Sequence, residues 1–197
     1  MIVITNPIAV SNEINTIHAL FECELGLLHV RKPDFSADEM KLFLSKIRKE
    51  YRSRLVLHQH HQIAIDFGVN RIHFTENARA TMNLKTENKQ YHFIKSTSTH
   101  SIIDFNTLEI CFEYAFLSPI HQSISKPDYK SDLDAEKAIA KRTNFKTKLV
   151  ALGGISTYNI ERTYKLGFDD VALLGSIWNT NQPIQNFKLC QKIAHLY

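Results

Sequence analysis

Ten histidines occur among the 197 residues. Most stand near a hydroxyl, an amide or a cation: His29-Val30-Arg31, His58-Gln59-His60-His61, His73, Ser96-Thr97-Ser98-Thr99-His100 and Ser118-Pro119-Ile120-His121. Imidazole titrates near neutral pH, so one well-placed ring serves as general acid or base. His29, His58, His60 and His121 are the candidates for that role. Two rings at i, i+2, as in His58 and His60, could also ligate zinc with His29 or His73 as a third ligand. Hydrogen bonding competes with that use, and no residue is assigned to a metal. Arg31 adds a fixed cation suited to an anion, and Ser125-Lys126 adds a hydroxyl and a loop cation.

A second chemistry sits near the C-terminus. Leu149-Val150-Ala151-Leu152 runs into Gly153-Gly154-Ile155, and Val171-Ala172-Leu173-Leu174 runs into Gly175-Ser176-Ile177. Each apolar run bounded by glycine reads as a buried parallel strand feeding a loop or helix start. Glycine lets the backbone approach a ligand closely, and the amides that follow can point at a phosphate. Ser98 and Thr99 offer hydroxyls to such an anion, or a cap to the helix behind them.

These residues need a scaffold that gathers distant strand ends. Candidate strands lie at 2–5, 27–31, 54–58, 71–74, 93–97, 114–117, 148–152 and 170–174. Helical patterns separate them at 11–21, 36–51, 59–67, 78–83, 101–108, 132–141, 157–166 and 184–195, with a long loop at 122–130. Ser36 and Glu39 form a capping box for the second helix, whose Met40, Phe43, Leu44, Ile47 and Tyr51 follow helical spacing. Strict alternation predicts an α/β fold, a parallel (β/α)8 TIM barrel over residues 1–197 as one domain. An open flavodoxin-like sheet is the alternative. In such barrels the site lies at the C-terminal strand ends, with a phosphate held after strands seven and eight. His29 and Arg31 then share the face that turns to the barrel mouth.

Composition narrows the setting. No apolar run approaches the ~20 residues of a membrane helix, and the apolar start lacks the basic region of a signal peptide. Cys23, Cys111 and Cys190 read as reduced core residues, which fits a cytoplasmic protein. Net charge is +4, with only a modest cluster at Lys46, Arg48, Lys49, Arg52 and Arg54. That cluster reads as a solvated helix face, so neither nucleic acid nor membrane is expected as a partner.

Taken in order, the segments resemble the thiamin phosphate synthase family, including its thiazole tautomerase branch. The likeness is carried by Val3-Ile4-Thr5, the strand-two arginine, Asn70-Arg71-Ile72-His73, Ser98-Thr99-His100-Ser101, Ser118-Pro119-Ile120 with Ser125-Lys126, and Ala151-Leu152-Gly153-Gly154-Ile155. Gly167-Phe168-Asp169-Asp170-Val171-Ala172, ending in Ser176-Ile177, completes it. The resemblance implies a β/α barrel of thiamin biosynthesis. Its synthases join a pyrimidine pyrophosphate to a thiazole phosphate with magnesium.

Carried over by position, Gly153 and Gly154 with Gly175 and Ser176 hold the thiazole phosphate. Ser98 and Thr99 face the pyrophosphate, Ser125 and Lys126 lie over the substrates, and Arg31 is the family's strand-two arginine. The magnesium half departs from the pattern. His29 replaces a glutamine, Pro33 a lysine, and His58-Gln59-His60 an Asn-Asp-Arg motif, with only Glu76 near the second carboxylate position. Magnesium needs hard oxygen ligands. The expectation is therefore a thiazole-phosphate-binding protein, a tautomerase that uses a histidine and no cofactor. The tautomerase branch's usual histidine aligns with Pro119, two residues before His121. A magnesium-dependent synthase and a non-catalytic phosphate-binding protein are the alternatives, and the resemblance implies a homo-oligomer.

Overall fold

The computed structural model describes residues 1–81, 92–121 and 134–197. Eight parallel strands close on themselves in chain order. They are β1 (Ile2–Ile4), β2 (Leu27–Val30), β3 (Leu55–Leu57), β4 (Arg71–Phe74), β5 (Ile94–Thr99), β6 (Phe112–Leu117), β7 (Lys148–Leu152) and β8 (Asp170–Leu173). Pairing of Ile2 with Ala172 and Val3 with Leu173 seals the barrel. Around it lie α1 (Glu13–Glu22), α2 (Ala37–Ser45), α3 (Glu76–Thr81), α4 (Ile102–Asn106), α5 (Ala135–Ala140), α6 (Ile160–Lys165), α7 (Gly175–Trp178) and α8 (Pro183–Ala194). The expected TIM barrel forms, and the open sheet does not.

Strand alternation sorts the core into two shells. Val3, Leu28, Val30, Leu57, Ala115, Leu149, Val171 and Leu173 pack outward beneath the helices. Ile2, Ile4, Phe116, Val150 and Ala172 pack inward with Tyr114. Strands β2, β4 and β5 turn polar groups inward as well. His29, His73 and Ser96 are buried at 0%, 1% and 1% exposure.

Several elements differ from the sequence reading. The capping box at Ser36 and Glu39 is present, but α2 stops at Ser45 and a 3-10 segment, Lys49–Arg54, buries Tyr51 in its place. The crossover at 59–67 is two 3-10 turns, His61–Ile63 and Ile65–Phe67. His60 before them has φ 55°, left-handed backbone, and its side chain caps no helix. Strand β5 runs on to Thr99, and Ser101, not Ser98 or Thr99, caps α4. The short α7 was not anticipated. Only Cys190 is a core residue, since Cys23 is half-buried and Cys111 is exposed. The 122–130 loop, with Ser125 and Lys126, lies outside the described residues, as do the ends of the 78–83 and 132–141 helices.

One buried ion pair fixes the loops beside the mouth. Lys32 is fully buried after β2, and its Nζ donates to both Glu13 carboxylate oxygens at 2.7 and 2.8 Å and to the Ile8 carbonyl at 2.9 Å. Burial raises the Glu13 pKa and Lys32 opposes that rise. Removing one partner of such a pair typically costs about 3–5 kcal/mol. Lys32→Met should therefore lower the urea-unfolding free energy by roughly that much, and adding Glu13→Gln should recover most of it. A single-variant loss below about 1 kcal/mol would show that the pair is not what holds the loop.

Candidate active site

A cavity of about 360 Å³ opens at the C-terminal end of the barrel, lined among others by Arg31, His58, His73, Ser98, Gly153 and Gly175. That volume suits one small ligand. Each lining group is set by its element. The β3 ladder continues as His58 N–H donates to the Val30 carbonyl at 3.2 Å, which places His58 on the wall. Alternation along β5 turns Ser96 and Ser98 inward, whereas the Thr99 hydroxyl donates to the Phe116 carbonyl at 2.8 Å. Thr99 is thus a buried structural residue and not the anion contact expected of it.

Gly153 meets the requirement for close backbone approach. Its φ is 102°, and a Cβ there would stand 2.9 Å from Pro119 Cα and Cβ. Gly154, also left-handed at φ 64°, lines the cavity beside it. Across the mouth, Gly175 opens α7. The Ser176 hydroxyl behind it is buried with no hydrogen-bond partner among the described residues. Ser176 lines a neighbouring cleft with Ser156 and Thr157, and Gly175 borders both that cleft and the cavity, so an anion's oxygen reaching past Gly175 would relieve the cost of the unpaired donor. Arg31 is exposed at this rim, and no ion pair engages its guanidinium among the described residues.

The histidines divide sharply. His29 Nδ1 and His58 Nε2 are 2.9 Å apart, and His29 Nε2 is 2.6 Å from the Tyr114 hydroxyl. His73 places Nδ1 2.9 Å from Ser96 Oγ and Nε2 2.9 Å from Ser98 Oγ. The His58 and His73 rings stack at 4.2 Å. His60 instead bonds the Phe35 carbonyl at 2.7 Å, and His121 bonds Thr163 Oγ1 at 3.0 Å in a separate cleft with Arg162 and Glu136. Neither lines the main cavity, so both drop out as acid/base groups of this site. The strand had to continue past Leu57 for His60 to join, and it ends there. His29 lies beneath His58, so it reaches the cavity only through that ring.

The sequence does not reveal the roles of two residues. Tyr114 and Ser96 looked like ordinary strand residues, although their parity matches Phe116 and Ser98. Glu76 and His100 also line the cavity, 3.8 Å apart.

The donor set speaks to metals directly. Gln59, at the position of the magnesium carboxylate, donates from Nε2 to the Lys32 carbonyl at 2.8 Å and is absent from the cavity wall. Glu76 is the one carboxylate on that wall among the described residues. Magnesium's hard oxygen site is therefore not formed by these residues. His29, His58 and His73 bring one ring nitrogen each within 4.8 Å of one another, the donor type that zinc takes. However, both nitrogens of His29 and of His73 already have partners, and His58 and His73 lie face to face. The arrangement is that of a hydrogen-bonded stack.

Burial holds these rings neutral. His29 and His58 lie well below the usual histidine value, first by desolvation and then by the neighbouring His73. His73 is pushed down to about 3 by burial, with His61 and Arg31 adding to it. Burial raises the Tyr114 phenol. Below the ordinary value of 6.5 the unfolded chain takes up protons that the folded cluster refuses. Stability present above that pH is then lost as pH falls toward 3, by about 1.4 kcal/mol per pH unit per ring. Urea midpoints should fall over this window, and His73→Gln should flatten the slope by close to one proton; an unchanged slope would contradict the neutral assignment.

Comparison with known proteins adds context to this geometry. The family model described as thiamine monophosphate synthase matches residues 1–177. A thiamine-phosphate synthase of Caldicellulosiruptor saccharolyticus is 23% identical over 184 residues, 90% of this chain and 81% of its own length. One from Prochlorococcus marinus is 24% identical over 157 residues, 77% of this chain but only 43% of that longer relative. The crystal structure of a thiamine phosphate pyrophosphorylase from Bacteroides thetaiotaomicron is 30% identical, covers 100% of this chain and 98% of its own, and superposes with a TM-score of 0.77. No described helix is long and apolar enough to cross a membrane.

Proposed function

The chain belongs to the thiamine monophosphate synthase family, an enzyme family of thiamin biosynthesis, and on that premise we propose that it binds a thiazole phosphate and moves protons on the bound ring without a metal. The phosphate lies against Gly153, Gly154, Gly175 and Ser176, with Arg31 as the cation at the rim. The ring reaches back toward His58, the acid/base group. The observation that carries this reading is the pairing on one cavity wall of a glycine-lined anion cradle with a neutral imidazole, where the magnesium carboxylates are replaced. A neutral imidazole can take a proton at one nitrogen while releasing one from the other, and general acid–base catalysis is typically worth about 10²–10⁴ in rate.

A synthase reading is favoured by the family and by the names its relatives carry. It requires a pyrophosphate leaving group to be stabilised, and on the described wall Arg31 is the one arginine or lysine and Glu76 the one carboxylate. We propose as well that the chain forms a homo-oligomer, as the family resemblance implies.

Two experiments separate the readings. With EDTA present, the protein should catalyse deuterium exchange from solvent into thiazole phosphate, and His58→Asn should slow it roughly 100-fold. Thiamin phosphate formed from thiazole phosphate, pyrimidine pyrophosphate and magnesium, with no metal-free exchange, would overturn the proposal in favour of the synthase. Arg31→Ala should weaken thiazole phosphate binding by about ten- to a hundredfold, the worth of one charge-assisted contact, as read by calorimetry. Unchanged affinity would remove Arg31 from the site.

A further inference from the structure

Six side chains inside the barrel form two hydrogen-bonded limbs that start from the same cavity and meet at its floor. From the wall, His58 Nε2 meets His29 Nδ1 at 2.9 Å, and His29 Nε2 meets the Tyr114 hydroxyl at 2.6 Å. Tyr114 is buried at the inner end of this limb. Ser96 stands opposite it in the β5–β6 register, which brings the inner ends of the two limbs, the Tyr114 phenol and the Ser96 hydroxyl, onto neighbouring strands. The path then rises, from Ser96 Oγ to His73 Nδ1 at 2.9 Å and from His73 Nε2 to Ser98 Oγ at 2.9 Å. His58 and Ser98 both line the cavity. No hydrogen bond engages His58 Nδ1 among the described residues, so that nitrogen is left for a ligand.

We infer that the two limbs join through the Tyr114 and Ser96 hydroxyls into one neutral proton relay, in which His58 takes a proton from one atom of a bound phosphorylated heterocycle while Ser98 delivers one to another atom of the same ligand. The inference rests on the proposed function for its ligand, but its wiring is a property of the protein alone. Protons balance at every link. As His58 Nδ1 gains a proton, His58 Nε2–H passes one to His29 Nδ1, His29 Nε2–H one to Tyr114 Oη, and the Tyr114 hydroxyl one to Ser96 Oγ. Ser96 passes one to His73 Nδ1, His73 Nε2–H passes one to Ser98 Oγ, and Ser98 gives its own to the ligand. Each group gains one proton and loses one, and none becomes charged. Water in the emptied cavity resets the circuit by the reverse shift.

Physical chemistry favours this over stepwise ionisation. Burial disfavours both imidazolium and phenolate here, so a lone His58 would make a feeble base. A relay avoids the charge altogether. His58 and Ser98 touch the ligand and are the catalytic residues of this scheme; His29, Tyr114, Ser96 and His73 act through them.

Long-range ¹H–¹⁵N NMR of ring-labelled histidine, on the full chain without ligand, tests the wiring. The wild type should show His29, His58 and His73 neutral with the proton on Nε2. Tyr114→Phe removes the acceptor of the His29 Nε2 proton, so His29 should switch to Nδ1–H. His58, which does not touch Tyr114, should follow it. Ser96→Ala should produce the same switch from the other limb, and it serves if the Tyr114 variant fails to fold. Unchanged His58 tautomers in both variants, or a stoichiometric transition metal bound to the three rings of the isolated protein, would overturn the relay. With thiazole phosphate, Tyr114→Phe should slow deuterium exchange at least tenfold while leaving its Kd unchanged. Absence of exchange in the wild type with tautomers switching as described would reject the proposed function and keep the relay.

Discussion

A barrel of eight parallel strands encloses a column of side chains that water barely reaches, and in this protein half of that column is polar. An unpaired imidazole or hydroxyl there would cost on the order of 1–3 kcal/mol, so the interior is stable only if such groups pair with one another. They do. His29, His58, His73, Tyr114, Ser96 and Ser98 bond across β2 to β6, while Ile2, Ile4, Val150 and Ala172 fill the other side. The register of the strands sets these contacts, because Ser96 pairs with both His73 and Tyr114. One constraint thus fixes both core specificity and the neutral state of the rings.

The same constraint divides the mouth by chemistry. On the β7–β8 side the backbone dominates, with left-handed Gly153 and Gly154 and the start of α7 at Gly175 on the cavity wall. On the β2–β5 side, side chains dominate and carboxylates are scarce. A magnesium pyrophosphate needs hard, charged oxygen ligands there, whereas a proton needs only a lone pair. Gln59 illustrates the shift: its amide clamps the Lys32 backbone, so it supports the loop instead of a ligand. Lys32 and Glu13 then tie that loop to α1.

Much of this was legible in the chain. Alternating apolar runs located all eight strands, and the ranges of β4 and β7 match their expected bounds. The glycine turns lie after β7 and β8 and Arg31 after β2, all at the C-terminal rim of the barrel. What failed did so for local reasons. His60 shared parity with His58 only if β3 continued, and a left-handed residue ended it. Thr99 followed Ser98 in sequence but points to the other side of β5, and His121 turned to Thr163 in α6. The circuit itself was beyond reach, because Tyr114 and His29 are 85 residues apart and meet only through sheet register. Nothing in the run Phe112–Leu117 distinguishes a tyrosine that packs from one whose hydroxyl completes a network.

The account turns on where a ligand's ring sits relative to its phosphate. A crystal structure of the protein soaked with thiazole phosphate measures this most directly. The phosphate should lie against the amides of Gly153, Gly154, Gly175 and Ser176, with a ring carbon or its substituent within hydrogen-bond reach of His58 Nδ1. A ring directed away from His58, or one approached by His121 instead, would contradict the account.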